Sequence, residues 1–277
     1  MQQTPSPSLD GVGPSSTAPD PAVAFDGIDL WYPSYHALTN TSFAVPRGQF
    51  VSIVGPTGSG KSSLLNLVAG LIAPTRGRVT TNGRPVEGVN PDCGYMFQAD
   101  ALLPWRTAID NVMLGPILHK VPRAEAREQA MAWLARVGLR GFEHRYPHHL
   151  SGGQRKRVAM AQVLINRPQI LLMDEPFGAL DAQTRALMGQ ELSDLWMDLG
   201  ATVLFVTHDL EEAVALSDRI VLISSGPDAT LKGDYLVDLD RPRQVADARF
   251  MTGFEAAYEA VWRDLREEVM TTYARER

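Results

Sequence analysis

The sequence predicts an α/β fold with a mainly parallel sheet and a helical insert. Three observations carry this. Residues 50–66 pass from PheValSerIleVal through the glycine-rich GPTGSGKSS to LeuLeuAsn, the pattern of a buried strand, a tight turn and the start of a helix. Apolar runs at 169–173, 201–206 and 219–223 are separated by helical patterns. Runs that are apolar at almost every position suit parallel strands covered on both faces. From about 103 to 164 the period changes to that of helices, which places a helical insert between strands.

Taken in order, residues 1–22 hold Pro5, Pro7, Pro14, Pro19 and Pro21 among Ser, Gly and Thr, a flexible tail with too few apolar groups to offset the entropy of ordering. ValAlaPhe, IleAspLeuTrpTyr and ThrSerPheAlaVal then read as strands, and 46–48 as the turn into the strand at 50. An apolar helix follows the glycine-rich turn and stops at Pro74, and Asn82-Gly83 marks a hairpin. Gln98 ends a short strand. The helix from Pro122 carries Ala126, Ala130, Leu134 and Val137 on one face and meets Gly138 at its end. After a domain spanning 23–240, residues 241–277 form a helical extension in which Phe250, Phe254, Ala257, Tyr258, Val261, Trp262, Leu265 and Val269 make one stripe. That stripe either packs on its own domain or offers a partner surface; the first is the expectation.

Composition narrows the classes of function. The chain has 277 residues, 44% of them hydrophobic, enough for a sizeable core. A net charge of −6 argues against the broad basic footprint of a nucleic-acid binder. No run of about 18 apolar residues is present to span a membrane. No Lys or Arg precedes Arg47, so the charged start of a secretory signal is missing and a cytoplasmic location is expected. Cys93 is the single cysteine and has no internal partner. His148 and His149 are adjacent and point apart, with no carboxylate or thiol at ligand spacing, so they do not read as a metal site.

The turn from Gly55 to Ser62 fits G-x-x-x-x-G-K-[ST]. Gly55, Gly58 and Gly60 let the backbone curl so that successive N–H groups of the loop, Thr57 and Ser59 among them, face an anion of several charges, while Pro56 shapes the turn without donating. Lys61 can reach the β- and γ-phosphates, the hydroxyl of Ser62 is placed to ligate Mg²⁺, and Ser63 continues into the helix. Trp31 and Tyr32 each could stack on a purine or pack on the sheet. Asp174 and Glu175 end the strand that begins at Gln169, where one carboxylate can hold Mg²⁺ through water and the next can polarise a water. Leu150, Ser151, Gly152, Gly153 and Gln154 open a helix and make a second anion site.

One triphosphate does not need two such sites in one chain. The set resembles the ATP-binding cassette (ABC) ATPases: phosphate loop Gly55–Ser62, Gln98 as the Q-loop, the signature at 150–154, Asp174 and Glu175, AlaLeuAsp ending at Asp181, and His208, in that order over about residues 23–240. The resemblance implies a P-loop NTPase core with a mainly parallel sheet, an antiparallel β subdomain and a helical subdomain at about 103–164. It implies ATP and Mg²⁺ as ligands, Glu175 activating the attacking water, and His208 sensing the γ-phosphate, with Asp209 and Glu212 capping the next helix. Mg²⁺ would be held by Ser62, Gln98 and Asp174. Tyr32 would stack on adenine, with Trp31 the alternative. In this family two copies face head to tail, so Ser151, Gly152, Gly153, Gln154 and Asp181 would meet the nucleotide of a second copy. LeuLeuProTrp at 102–105 and PheGlyAlaLeuAsp at 177–181 resemble the nitrate, sulfonate and taurine import branch. That implies a homodimer on the cytoplasmic face of the membrane beside integral permease subunits, with a solute-binding protein acting indirectly and no nucleic acid. Residues 99–112 would line the groove for a permease helix. Soluble ABC ATPases of translation and DNA repair are the alternative, although two cassettes or a long coiled-coil insert do not fit this chain. Two departures stand out: Ser63 replaces a usual Thr, and Arg155, Lys156 and Arg157 replace a commoner pattern with Gln or Met.

Overall fold

The structure, a computed structural model, describes residues 21–275. The first twenty residues, most of the tail read at 1–22, lie outside the described residues. The strands are β1 (Val23–Tyr32), β2 (Tyr35–Val45), β3 (Phe50–Val54), β4 (Arg76–Thr81), β5 (Arg84–Pro85), β6 (Cys93–Met96), β7 (Ile170–Asp174), β8 (Thr202–Val206), β9 (Arg219–Ile223) and β10 (Leu231–Leu236). The helices are α1 (Lys61–Val68), α2 (Ala108–Val112), α3 (Leu114–Leu118), α4 (Arg123–Arg136), α5 (Gly152–Leu164), α6 (Ala182–Leu199), α7 (Leu210–Leu216) and α8 (Phe254–Arg275). Strands β9, β3, β8, β7 and β6 lie side by side and parallel, and β10 closes one edge antiparallel to β9. A second, antiparallel sheet runs β2-β1-β4-β5.

The apolar runs explain the layering. Side chains alternate between the faces of a strand, and here both alternating sets are buried. Leu171 and Met173 of β7, with Val203 and Phe205 of β8, face the core shared with α2, α4, α5 and α6. Ile170 and Leu172, with Leu204 and Val206, face α1 and the antiparallel sheet. Ala126, Ala130, Leu134 and Val137 are all buried in the first of these cores, as the spacing of α4 requires. Gly138 then takes φ +71°, the left-handed conformation that ends a helix.

The C-terminal stripe forms only in part. Residues 245–250 make a 3₁₀ turn and α8 starts at Phe254, after Gly253 at φ +95°. Phe254 and Val261 are buried beneath α7, β9 and β10, whereas Phe250 is 73% exposed and Trp262 44% exposed. The break at 251–253 rotates Phe250 off the face that the sequence period assigns to it. The expectation that this segment packs on its own domain holds for Phe254 and Val261.

Arg243 joins this segment to α7. It is buried, and its guanidinium donates to the carbonyls of Val214, Ser217 and Leu239, each at 3.1 Å. The end of α7 is thus capped by a side chain rather than by water. Burial, then the Arg241 charge, lowers its pKa to about 10 against the pull of Asp218. Arg243→Met is expected to cost about 3 kcal/mol, because the carbonyls stay buried without donors; the shift in urea midpoint measures it. A loss below about 1 kcal/mol would mean that water reaches those carbonyls.

Candidate active site

Parallel pairing brings four loop segments to one edge. Met96 pairs with Met173, Asp174 with Val206, and Ile53 with Val206. The chain leaving β6 therefore carries Gln98, the end of β7 carries Asp174 and Glu175, the chain leaving β8 carries His208, and the loop from Gly55 follows β3. This is the carboxyl edge, where ligands of open α/β sheets bind.

The glycines are required by contact as well as by turn geometry. Gly55 has φ +155°, and a Cβ there would lie 2.5 Å from the Ile223 carbonyl oxygen. At Gly60, with φ +85°, a Cβ would lie 2.8 Å from Leu38 Cδ2. Helix α1 begins immediately afterwards, so its unpaired N–H groups and positive end face the loop. Above the loop lies a cleft of about 330 Å³. Its floor is Gly55, Thr57, Gly58, Ser59, Gly60, Lys61, Ser62 and Ser63, and its walls are Tyr32, Tyr35, Glu175 and His208.

Lys61 lies back along the loop, its Nζ 2.9 Å from the Gly55 carbonyl oxygen and 2.8 Å from that of Pro56. Burial lowers its pKa, while the Glu175 and Asp174 charges oppose the shift. The Ser62 hydroxyl donates to Asp174 Oδ1 at 3.0 Å. Burial raises the Asp174 pKa; the Ser62 hydrogen bond opposes it, the Glu175 charge adds to it, and Lys61 opposes it. Glu175 sits at φ +44°, strained for a side chain with a Cβ, and its N–H donates to the Val206 carbonyl oxygen at 2.9 Å. Its Oε2 lies 3.2 Å from His208 Nδ1 and 3.4 Å from Gln98 Nε2. Glu175 is therefore the meeting point of three strand ends.

The two aromatic candidates part company. Trp31 stacks on His36, with ring centroids 3.9 Å apart and planes within 7°. Tyr32 borders the cleft and its hydroxyl lies 3.0 Å from Ser63 Oγ. Tyr35, which the sequence reading passed over, also borders it and donates to the Gly58 carbonyl oxygen at 2.7 Å. The signature residues lie elsewhere. Ser151 caps α5, accepting from the Gln154 N–H at 3.2 Å, while Gln154 Oε1 accepts from the Ser151 N–H at 2.9 Å. Ser151 is exposed. A Cβ on Gly153 would meet Thr184 at 3.2 Å, and Asp181 caps α6 by accepting from the Thr184 N–H at 3.0 Å. None of Ser151, Gly152, Gly153, Gln154 and Asp181 borders the cleft of its own chain.

The donor set suits Mg²⁺ in the presence of phosphate. Ser62, Asp174 and Gln98 supply hard oxygen atoms, as Mg²⁺ prefers. Among the described residues no group of three or more His, Cys, Asp or Glu side chains is placed to hold a metal by itself.

Behind His208, Glu212 accepts from the Thr207 hydroxyl, Asp209 caps α7 by accepting from the Glu212 N–H at 3.1 Å, and Arg185 donates to Asp209 at 2.6 Å. Burial first, together with the Asp209 and Glu175 charges, pushes the Glu212 pKa to about 7, against the Thr207 bond and the Arg185 charge. A carboxyl held above its ordinary value near 4.5 stabilises the fold fully below that value and less as pH rises through about 7. Glu212→Gln is therefore expected to flatten the fall in unfolding midpoint between pH 4.5 and 7.5. A wild-type midpoint that is level over that range would contradict the assignment.

The ABC transporter family matches residues 38–178 of this chain. An aliphatic sulfonates import ATP-binding protein, SsuB 1 of Burkholderia cenocepacia, is 48% identical over 236 residues, covering 85% of this chain and 70% of that protein. The taurine import ATP-binding protein TauB of Yersinia pestis is 45% identical over 200 residues, covering 72% and 78%. The dimeric post-hydrolysis structure of the ATP-binding cassette MJ0796, bound to ADP and Pi, superposes with a TM-score of 0.68 at 33% identity, covering 78% of this chain and 98% of that one. The order of the motifs, the strand ends that carry them and these matches agree: the chain belongs to the ABC transporter family.

Proposed function

We propose that this chain is the ATP-hydrolysing subunit of an importer for nitrate, a sulfonate, taurine or a similar small solute. The observation that carries the reading is Glu175, held between Gln98 and His208 at the wall of the phosphate-loop cleft. Adenine would stack on Tyr32, and the triphosphate would lie along Gly55–Ser62, drawing Lys61 Nζ from the loop carbonyls to phosphate oxygens. When bound, Mg²⁺ would supply charge neutralisation at the β- and γ-phosphates, held by Ser62 and Gln98 and, through water, by Asp174. Glu175 takes a proton from water as the water oxygen bonds to the γ-phosphorus. The bond from γ-phosphorus to the bridging oxygen breaks, leaving ADP and phosphate. His208 orients the water and the γ-phosphate.

Ser151, exposed and outside its own cleft, would close on the γ-phosphate of a second copy, with Gly153 and the Asp181 turn beside it. Two nucleotides would then join two chains, and their hydrolysis would reopen the pair. Among the described residues no helix is long and apolar enough to cross a membrane. The chain would act at the cytoplasmic face against permease subunits, with the solute captured by a separate binding protein. The similarity to two import ATP-binding proteins supports this reading over a soluble ABC ATPase. Pull-down of the tagged full chain from membranes tests it: a hydrophobic permease and a solute-binding protein should be recovered. Recovery of ribosomal or DNA-repair proteins instead would contradict it.

A further inference from the structure

Lys156 belongs to the basic run Arg155–Arg157 that follows the signature, and the structure gives it a place. It lies in α5 and its side chain is only 4% exposed. Its Nζ donates to the Gln98 carbonyl oxygen at 2.6 Å and pairs with Asp100 Oδ1 at 3.1 Å. The other oxygen of Asp100 accepts from Arg155 Nε at 3.0 Å, and Arg155 donates to the Leu150 carbonyl oxygen at 2.8 Å. The side chain of the same Gln98 reaches Glu175 Oε2 at 3.4 Å. Contacts therefore run without a gap from Glu175 through Gln98, Lys156, Asp100 and Arg155 to Leu150, the neighbour of Ser151.

Stability alone does not account for this arrangement. Burying the Lys156 ammonium beside the half-buried Asp100 carboxylate costs solvation that their attraction only partly returns, and the better attested use of such a pair is to fix register. The register at stake here is that of residues 97–103, which form neither helix nor strand, against the first turn of α5. Ala101 lies at φ +50°, so this segment holds a bent path that its own backbone does not favour. Lys156, from α5, holds it at two points two residues apart, the Gln98 main-chain oxygen and the Asp100 side chain.

We infer that Lys156 and Asp100 are positioning residues that make the Gln98 segment and the signature end of α5 move as one body. A shift of Gln98 at Glu175 then shifts Ser151, which must reach the nucleotide of the second copy. The inference rests on the ATPase reading above. A contact path by itself does not establish coupling; non-additivity between its members does.

The test uses the full chain as wild type, Lys156→Met, Asp100→Asn and the double variant. For each, steady-state ATPase kcat and KM, the Kd of a fluorescent ATP analogue and the urea midpoint are measured. Lys156→Met keeps the apolar stem and volume, and Asp100→Asn keeps the shape, so both are chosen to preserve folding. Each single variant is expected to lower kcat about tenfold with KM and analogue Kd within about twofold, and the double variant to be no slower than the slower single. If kcat per folded molecule stays within about twofold of wild type in both singles, whatever happens to the urea midpoint, the residues are only structural and the inference fails. A double variant slowed by about a hundredfold, the product of independent effects, overturns it as well. A wild-type chain without ATP turnover would instead refute the ATPase reading, and this inference would fall with it.

Discussion

Glu175→Gln is expected to lower the rate of ATP hydrolysis by about 10²- to 10⁴-fold, the range for loss of a general base, while ATP affinity stays within about twofold. The amide keeps the size of the carboxylate and can still meet His208 and Gln98, which now lie 3.2 and 3.4 Å from Glu175 Oε2. It cannot take a proton from water. The left-handed backbone at 175 and its N–H bond to Val206 do not depend on the side-chain charge, so the site keeps its shape. Single-turnover hydrolysis and equilibrium binding separate the two effects. Turnover at the wild-type rate would remove Glu175 from the role of base.

Lys61→Met is expected to have the converse profile, with ATP affinity reduced at least about tenfold and turnover lost with it. Lys61 is buried and satisfied by the carbonyls of Gly55 and Pro56, so the ammonium is held at the loop, within reach of a phosphate lying along it. Burial lowers its pKa, against the pull of Glu175 and Asp174. The variant should fold, with an unfolding midpoint in the absence of nucleotide lowered somewhat by the loss of the donor to those two carbonyls. It should also lose most of the rise in midpoint that Mg·ATP gives the wild type. An unchanged nucleotide-induced rise would show that the backbone N–H groups of the loop suffice for binding.

The parts of this account that are legible in the sequence are those governed by near neighbours. The β3–loop–α1 unit is local, and its glycines are demanded by turns a few residues long, so Gly55 to Ser62 stand where the pattern places them. The apolar runs of β7, β8 and β9 are legible because both faces of a parallel sheet are buried. Strand β10 is not, because LeuLysGlyAspTyrLeu at the sheet edge has no such run, and pairing with β9 alone makes it a strand. Tyr35 escapes notice because its place at the cleft depends on the register of β1 with β2, where it pairs with Tyr32. Asp100 and Lys156 are 56 positions apart, and only the meeting of the chain after β6 with α5 makes them partners. Phe250 and Trp262 fit the period of the C-terminal stripe, but Phe250 is turned out by the break at 251–253, and Trp262 lies outside the core that takes Phe254 and Val261.

Ser151 is a different case. Its local role, capping α5 in a reciprocal pair with Gln154, is legible from residues 151–154 and is present in the structure. Its proposed role lies in another copy of the chain. The direct measurement is the distance from Ser151 Oγ to the nearest γ-phosphate oxygen in an experimental structure of the Glu175→Gln chain with Mg·ATP. The account predicts a pair of chains with that distance within about 3.2 Å, a hydrogen bond, to the nucleotide held by the partner's phosphate loop. Nucleotide-filled clefts with Ser151 still facing solvent, bonded only within its own helix cap, would contradict it.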